Sequence, residues 1–281
     1  MALPLPVSLS PSKVSTFKDC ALAFRLSSID RLPEPPSEAA AKGTLVHRAL
    51  ELLMFEEEPG GRGIEVAMSK LDRALGDVLD SGEYAELELQ GEAREAFRED
   101  AAALIRNYYQ LEDPNSVRVI GTELRLGAPL GNFRVSGIID RLDLDADGEL
   151  VVIDYKTGRA PGVNFEQPRM LGVSFYAFLC QTYFGRMPKE MRLLHLREPV
   201  SITTVPTEQS VTAMRRQTLA VWAAVERACA DESFRPRPGR CCSWCGFRAY
   251  CPAWGGDLAA LPPLIGRDGP PVQEPLAVGA A

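Results

Sequence analysis

Two aspartates and a lysine lie where two apolar segments end, an arrangement that suits metal-dependent hydrolysis. Asp140 follows two isoleucines, and Asp154, Tyr155 and Lys156 follow the apolar run at 150–153. Side chains two residues apart share one face of a strand, so Asp154 and Lys156 project together while Tyr155 points away. A short hairpin between the segments would bring Asp140 beside Asp154. The two carboxylates and the Tyr155 backbone carbonyl would then form a hard oxygen site that suits Mg²⁺ or Mn²⁺.

Lys156 would complete this site as a fixed cation. Hydrolysis of a phosphodiester requires a Lewis acid, an activated water and a positive charge beside the phosphate. The alternative is an ordinary salt bridge between Asp154 and Lys156 at a strand end. The apolar residues before Asp140 and Asp154 favour the site, because they predict buried strands, where unpaired carboxylates are costly.

Histidine is rare in this chain, and one of the two could join the metal site. His47 ends the segment Gly43-Thr-Leu-Val-His47, and a neutral imidazole suits Mn²⁺ better than Mg²⁺. The alternative is an imidazole on a helix surface. His195 lies in a strand-like segment, and we interpret it as structural.

Seven cysteines in a chain without signs of secretion need a role other than disulfide bonds. Three of them form the motif Cys242-x2-Cys245-x5-Cys251, whose Cys-x2-Cys pair also suits zinc. Cys241 directly precedes the motif, and Cys20 lies far upstream. The other two lie in apolar helical patterns and are predicted to be small core residues: Cys180 and Cys229.

The elements that would position these residues fall into two stretches of different character. The first 112 residues are mostly helical and acidic, with apolar residues at three-to-four spacing. Segments rich in Val, Ile and Leu then predict strands, the first three as an antiparallel meander. Predicted helices cover 10–30, 43–55, 64–80, 92–112, 166–184 and a stretch that ends near 231; predicted strands cover 117–126, 133–144, 150–155, 191–197 and 200–205. The fold class is therefore α/β, with a mixed central sheet flanked by helices and a Cys-rich loop at 241–254.

Charge and hydropathy exclude several classes of protein. The 281 residues carry a net charge of −7 with a pI near 5.1, which argues against a polycation that coats nucleic acid. Residues 151–257 nevertheless hold 9 acids against 14 bases, so a nucleic-acid partner stays open beside the alternative of solvated surface charge. No apolar run reaches the ~18 residues of a membrane span, and residues 1–10 lack the features of a signal peptide. We therefore expect a soluble, cytoplasmic protein without membrane contact.

Five short motifs occur in an order that resembles a known nuclease family. They are Ser10-Pro-Ser-Lys-Val-Ser-Thr-Phe-Lys-Asp-Cys20, Gly43-Thr-Leu-Val-His47, Gly137-Ile-Ile-Asp140-Arg-Leu-Asp143, Asp154-Tyr-Lys-Thr-Gly158 and the cysteine motif at 242–251. Over about residues 9–254 the chain is similar to the RecB-like nucleases of the PD-(D/E)XK superfamily. These include the iron–sulfur nuclease domain of AddB and the CRISPR-associated iron–sulfur exonucleases. The resemblance implies a restriction-endonuclease-like core.

The resemblance also implies roles for the residues singled out above. His47, Asp140 and Asp154 would be metal ligands, and Lys156 would be the catalytic lysine. Four cysteines would hold a [4Fe–4S] cluster that ties the two ends of the chain together: Cys20, Cys242, Cys245 and Cys251. Four thiolates can hold such a cluster, and closing a loop of over 200 residues removes much unfolded-state entropy. A zinc site with the same ligands and a set of disulfides are the alternatives, and Cys241 is a spare thiol that could substitute.

The predicted function is a divalent-metal-dependent DNA exonuclease, with endonuclease activity as a further option, in DNA repair or processing. One position departs from the family, which usually carries Gln-x-x-x-Tyr after the lysine strand; here Gly172 precedes Tyr176. Tyr176 is either a DNA contact or an aromatic that packs on the sheet. The departure motivates a second hypothesis, a cluster-stabilised DNA-binding or helicase-partner module with a weak nuclease site. Since the chain has no Gly-x4-Gly-Lys-Ser/Thr phosphate loop, ATP-driven unwinding would require a separate helicase.

The predicted organisation is one nuclease domain between two tails. An N-terminal tail covers 1–8 and a tail predicted to be disordered covers 258–281. The domain covers 9–257, with a helical part at 9–112, a sheet core at 113–206 and a helix with the cysteine loop at 207–257. Arginines around the cysteine loop are candidate DNA contacts or, equally, a solvated face: Arg235, Arg237, Arg240 and Arg248.

Overall fold

The computed structural model describes residues 2–81, 84–160 and 166–261. The chain divides into two units, the first comprising 1–35, 125–137 and 208–281 and the second comprising 36–124 and 138–207. Strands β2 (Arg118–Leu130) and β3 (Phe133–Leu144) pair with each other, and each contributes residues to both units. Each unit therefore combines segments that are distant in the sequence.

Amphipathic helices make up the first part of the second unit. They are α3 (Glu38–Glu56), α4 (Ile64–Leu79) and α5 (Gly91–Leu111). Helix α3 begins where the Ser37 hydroxyl accepts a hydrogen bond from the Ala40 backbone nitrogen at 3.2 Å, as expected of an N-cap. The apolar stripes of the three helices are buried in one core, with Leu45, Leu71 and Ile105 fully enclosed.

The sheet of the second unit places two buried strands side by side. Its further elements are β4 (Leu150–Lys156), α6 (Glu166–Phe184), β5 (Glu190–His195) and β6 (Val200–Thr204). Strand β3 pairs antiparallel with β4, β4 pairs parallel with β5, and β5 pairs antiparallel with β6. Helix α6 lies in the connection that two parallel strands require. All four residues of the apolar run 150–153 are buried, as expected of a strand covered on both faces.

The first unit joins both ends of the described chain. Its regular elements are β1 (Ser8–Leu9), α1 (Pro11–Asp19), α2 (Ala21–Phe24) and α7 (Glu208–Ala230). Strand β1 pairs parallel with the start of β3, and the Phe133 ring stacks on Trp222 with centroids 4.4 Å apart. The cysteine segment forms short 3-10 turns at Arg240–Ser243, Arg248–Tyr250 and Pro252–Trp254.

The mixed α/β fold class is confirmed, and the differences from the predicted elements are local. The predicted helix at 10–30 is broken at Cys20, whose extended backbone (φ −158°) ends α1 and caps α2. Helix α3 begins at Glu38 rather than 43, because Ser37 provides the N-cap. The predicted N-terminal tail includes Ser8, which belongs to β1, since pairing with β3 orders a segment too short to show a strand pattern.

Other sequence predictions have mixed outcomes. Cys180 and Cys229 are buried, as predicted for core residues, and His195 is buried on β5. Residues 262–281 of the predicted tail lie outside the described residues, and Leu258–Ala260 forms a 3-10 turn. The single domain over 9–257 stays a prediction. Within the described ranges no helix is long and apolar enough to cross a membrane.

Candidate active site

Asp140 and Asp154 lie side by side on neighbouring strands of the second unit. In the antiparallel β3–β4 pair Arg141 lies opposite Ile153. Continuing this register by one residue places Asp140 opposite Asp154. Asp140 Oδ2 accepts a hydrogen bond from the Tyr155 backbone nitrogen at 2.7 Å, which fixes this carboxylate against β4. Asp154 is only 6% exposed. The strands therefore hold two carboxylates together largely out of water, where their charges repel.

Lys156 carries the positive charge nearest these carboxylates. Its Nζ lies 2.5 Å from Asp154 Oδ2, and its side chain is half-exposed. Burial by itself lowers the pKa of Lys156, but the ion pair with Asp154 outweighs that effect and the pKa is raised. Lys156 therefore stays protonated at neutral pH, which suits a fixed cation and not a general base.

His47 reaches the site from helix α3. A Cβ at Gly43 would lie 3.3 Å from Thr157 Oγ1, so glycine allows α3 to approach the end of β4 closely. His47 Nε2 donates a hydrogen bond to the Tyr155 carbonyl oxygen at 3.1 Å. Its Nδ1 lies 3.6 Å from Asp140 Oδ2. With Nε2 protonated, the neutral ring turns the Nδ1 lone pair toward the carboxylates.

Glu123 joins the site from β2, and sequence analysis did not predict it. Its Oε1 lies 3.9 Å from His47 Nδ1, and ligand atoms of His47, Glu123 and Asp140 all lie within 4.8 Å of one another. Glu123 also has φ +46°, a conformation rarely adopted by residues other than glycine and concentrated at functional sites. The available signal is one acid inside an apolar strand pattern, whereas the acids predicted for the site lie at strand ends.

Positive charge is scarce in this cluster, and two pKa shifts show it. Burial, followed by repulsion from Asp154, raises the pKa of Asp140 to about 7. Burial would lower the pKa of His47, but the nearby carboxylates of Glu123 and Asp140 outweigh this and raise it. Both groups thus hold their protons more tightly than usual, because the cluster has more carboxylates than cations.

Tyr176 on α6 faces the same carboxylates. Burial raises the pKa of its hydroxyl, and the charges of Asp154 and Asp140 raise it further. One helical turn earlier, a Cβ at Gly172 would meet no atom within 4 Å. Tyr176 is therefore positioned beside the site, and the helix has room for a side chain at the position that departs from the family.

A buried arginine holds the opposite face of the two strands. Arg141 is fully buried, and its guanidinium contacts Asp143 at 2.9 Å and Glu112 at 2.6 Å. It also donates hydrogen bonds to the Tyr155 hydroxyl at 2.8 Å and the Tyr108 hydroxyl at 3.1 Å. As predicted, the Tyr155 side chain points away from Asp154, and its backbone contacts both His47 and Asp140.

The cysteines of the sequence motif meet Cys20 in the first unit. A cavity of about 270 Å³ is lined by sulfur-bearing residues among others: Cys20, Cys241, Cys242, Cys245 and Cys251. Burial raises the pKa of the Cys245 thiol, and Cys20, Cys242 and Cys251 raise it further, so these four groups interact. No three thiols of the described residues lie within 4.8 Å of one another.

Two backbone nitrogens point at these sulfurs. The Arg237 nitrogen donates to Cys20 Sγ at 3.4 Å, and the Gly239 nitrogen donates to Cys242 Sγ at 3.3 Å. The second bond lowers the pKa of Cys242. Around them the arginines predicted as DNA contacts are all exposed: Arg235, Arg237, Arg240 and Arg248. The first unit therefore presents a thiol cluster beside a basic surface.

Comparisons with known proteins add observations independent of this geometry. A family model described as the PD-(D/E)XK nuclease superfamily matches residues 8–252. The chain is 31% identical over 163 residues to one of the subunits of the ATP-dependent helicase/deoxyribonuclease of Streptococcus agalactiae, in strains of serotypes Ia, V and III. That match covers 54% of this chain and 14% of the relatives' length. A candidate exonuclease from Eubacterium rectale, known from its crystal structure, is similar with a TM-score of 0.47 and 11% identity, covering 84% of this chain and 87% of that one.

Proposed function

The chain belongs to the PD-(D/E)XK nuclease superfamily, and we propose that it is a divalent-metal-dependent DNA exonuclease that acts in DNA repair or processing. One observation carries the proposal. The potential ligand atoms of His47, Glu123 and Asp140 lie within 4.8 Å of one another, and Asp140 adjoins the Asp154–Lys156 ion pair. A metal-binding set beside a fixed cation is what phosphodiester hydrolysis requires.

The donor set fits Mg²⁺ or Mn²⁺. The Nδ1 lone pair of His47 and the carboxylates of Asp140 and Glu123 converge, and a divalent cation among them would offset the burial and the repulsion that raise the pKa of Asp140. The residues that would hold it are His47, Asp140 and Asp154, with Glu123 and the Tyr155 carbonyl as further oxygen donors. A site that combines an imidazole with carboxylates favours Mn²⁺ over Mg²⁺. When bound, the ion would act as a Lewis acid toward the scissile phosphate and its attacking water.

The protein's own groups divide the remaining work. Lys156 keeps its proton and offers positive charge to the negative charge that develops on the phosphate. Asp154 holds the Lys156 ammonium in place through their 2.5 Å contact. The hydrogen bonds of the Tyr155 backbone keep Asp140 and His47 in position. They use Asp140 Oδ2 and His47 Nε2, so Asp140 Oδ1 and His47 Nδ1 are not engaged by these two bonds. Tyr176, whose hydroxyl feels the charges of Asp154 and Asp140, is the proposed DNA contact on α6.

The thiol cluster of the first unit suits a [4Fe–4S] cluster held by Cys20, Cys242, Cys245 and Cys251. A zinc ion held by the same four sulfurs is the alternative. Backbone hydrogen bonds to the sulfurs of Cys20 and Cys242 are of the kind that tune iron–sulfur sites. Iron, sulfide and zinc analysis of protein purified without oxygen decides between the two metals.

A nuclease assay on end-labelled DNA tests the proposed activity. Anaerobically purified protein is incubated with linear single-stranded, linear duplex and circular DNA in Mg²⁺, Mn²⁺ or EDTA. We expect metal-dependent degradation of linear DNA from one end, with circular DNA resistant. Asp154→Asn should reduce the rate at least about 100-fold, since it removes the partner of Lys156 and a metal ligand.

Asp147→Asn is the matched control, because Asp147 is an exposed aspartate of the same unit that pairs with Lys189 on the surface. Its rate should equal that of the unchanged protein. Cleavage of circular DNA would instead identify an endonuclease. Absence of cleavage by folded, iron-loaded protein in every metal would overturn the proposed activity.

A second function has one observation in its favour. Gly172 replaces the family's glutamine, so the chain could serve as a cluster-stabilised DNA-binding or helicase-partner module with a weak nuclease site. The curated relatives are subunits of an ATP-dependent helicase/deoxyribonuclease, and a separate helicase is therefore the proposed protein partner. Tight DNA binding in EDTA without turnover in Mn²⁺ would favour this function. The cytoplasmic location stays a prediction.

A further inference from the structure

The segment at 235–256 differs in composition from the rest of the chain. It contains four arginines and no acidic residue, although the chain as a whole has a net charge of −7. Two of the three tryptophans of the chain lie in it, and both are exposed: 74% for Trp244 and 50% for Trp254. Exposed indoles among arginines are unusual on a surface that only has to be solvated.

Local contacts orient the Trp254 ring and fix the backbone of Trp244. The Arg248 guanidinium lies 4.1 Å from the centroid of the Trp254 ring, a cation–π contact that orients the indole. The Trp244 backbone nitrogen donates to the Cys241 carbonyl at 3.3 Å, so the thiol segment fixes the backbone of Trp244. Arg237 donates to the Lys18 carbonyl at 3.0 Å, which anchors the segment to α1.

We propose that Trp244 and Trp254, with the arginines beside them, form a stacking platform for the unpaired bases of single-stranded DNA. The inference rests on the proposed function, because that function is the reason for taking DNA as the ligand. The indole faces can stack on bases of any sequence, and the exposed Arg235 and Arg240 can neutralise the phosphates between them. Duplex DNA is the poorer ligand, because its bases already stack on one another.

Tryptophan fluorescence in EDTA tests this platform without hydrolysis. The full chain, purified without oxygen, is titrated with a thymidine oligonucleotide and with a duplex of equal length. Trp222 is buried, so saturable quenching by the single strand reports on the two exposed rings. Trp244→Ala should weaken binding about five-fold or more and leave its salt dependence unchanged. Arg240→Gln should weaken binding and reduce the log–log salt slope by about 0.7, as expected for one lost phosphate contact.

Two further variants separate stacking from folding. Phe55→Ala removes an aromatic that is 79% exposed and is followed by three glutamates, and it should bind as the unchanged chain does. Trp244→Phe keeps an aromatic face, so it should retain most of the affinity, with less quenching and an unchanged iron content. If Trp244→Ala does not fold, Trp244→Leu in the same assay should reproduce the loss of affinity.

Several results would overturn the platform. They are an absence of quenching, equal affinity of the Trp244→Ala or Trp244→Leu variant, and preference for the duplex. Interaction of this surface with a helicase and not with DNA would do the same. Failure of the proposed nuclease activity gives a different result from failure of the platform. If the oligonucleotide binds and quenches the tryptophan fluorescence in EDTA but is not cleaved in Mn²⁺, the platform stands and the nuclease proposal fails. If DNA is cleaved but the fluorescence is not quenched, the nuclease proposal stands and the platform fails.

Discussion

Asp140 shows how burial and a neighbouring charge prepare one residue for a metal ion. Its pKa of about 7 lies above that of an ordinary aspartate, so the folded chain favours the protonated form. In the metal-free protein this group lowers the free energy of unfolding as pH rises from its ordinary pKa toward 7. The same proton competes with a cation, and metal affinity should therefore depend on pH.

We expect the affinity for Mn²⁺ to rise at least about tenfold per pH unit below pH 7 and to change less above it, because binding there displaces the Asp140 proton and, from a charged His47, a second proton. Titration calorimetry in two buffers of different ionisation enthalpy measures both the affinity and the protons released. Asp140→Asn should bind weakly and with less dependence on pH. Affinity that is the same at pH 5 and pH 7 would contradict the metal site.

Lys156 is half-exposed, and we nevertheless assign it a defined role in catalysis. Lys156→Gln should lower the cleavage rate about 100- to 1,000-fold, as removal of a group that stabilises developing charge does. The melting temperature should fall, because the buried Asp154 loses its partner, so the rates are compared on protein shown to be folded. Lys189→Gln removes another lysine paired with aspartates and should keep full activity. Equal activity of the two variants would exclude Lys156 from catalysis.

At the level of elements, Arg141 links the two strands that carry the site. Arg141→Ala leaves the buried Asp143 without its partner and removes the cation beside Glu112, and breaking a buried pair costs about 3–5 kcal/mol. We expect a loss of this size in urea denaturation. Tyr108→Phe removes two hydrogen bonds of the same network, one from Arg141 and one to Glu112, and should cost about 2 kcal/mol. Similar small losses for both variants would show that Arg141 does not tie the strands together.

Helix α6 offers a direct test of the departure at Gly172. Glutamine fits there because a Cβ meets nothing within 4 Å, and it is a better helix former than glycine by roughly 0.5 kcal/mol. Gly172→Gln should therefore raise stability slightly and increase the cleavage rate. Gly172→Ala separates the two effects, since it improves the helix without supplying an amide. Equal cleavage rates for Gly172→Gln and Gly172→Ala would show that a side-chain amide at this position does not contribute to activity.

The amino-acid sequence alone predicted strands β3 and β4 and helix α6, because each has an apolar pattern typical of its element. Asp140, Asp154 and Lys156 were found because acids and a lysine after buried runs are costly without a role. Glu123 was missed, since its contribution depends on a positive φ inside a strand and on contact with His47, which is distant in sequence. Strand β1 was missed because two residues carry no alternation, and only pairing with β3 defines it.

Across the whole chain, the first unit gathers residues from both ends around the thiols. Cys20 lies on the N-terminal side of α2, and its proposed co-ligands lie more than 200 residues later. Gly256 shows how tightly the later segment is folded, because a Cβ there would lie 2.3 Å from the Ala249 carbonyl oxygen. Only glycine permits this approach. The thiol segment is therefore a built structure that a cross-link to Cys20 would stabilise.

Cys20→Ser tests that cross-link. Closing a loop of more than 200 residues removes about 5 kcal/mol of unfolded-state entropy, so loss of one ligand should lower both folded yield and melting temperature. Cys241→Ser is the matched control, because Cys241 lines the same cavity but is not one of the four assigned ligands. It should keep its iron and its stability. The protein that survives Cys20→Ser should still cleave DNA, because Asp154 and Lys156 belong to the second unit. An unchanged melting temperature with full iron content would mean that Cys20 is not a ligand, and loss of iron in Cys241→Ser would mean that Cys241 takes its place.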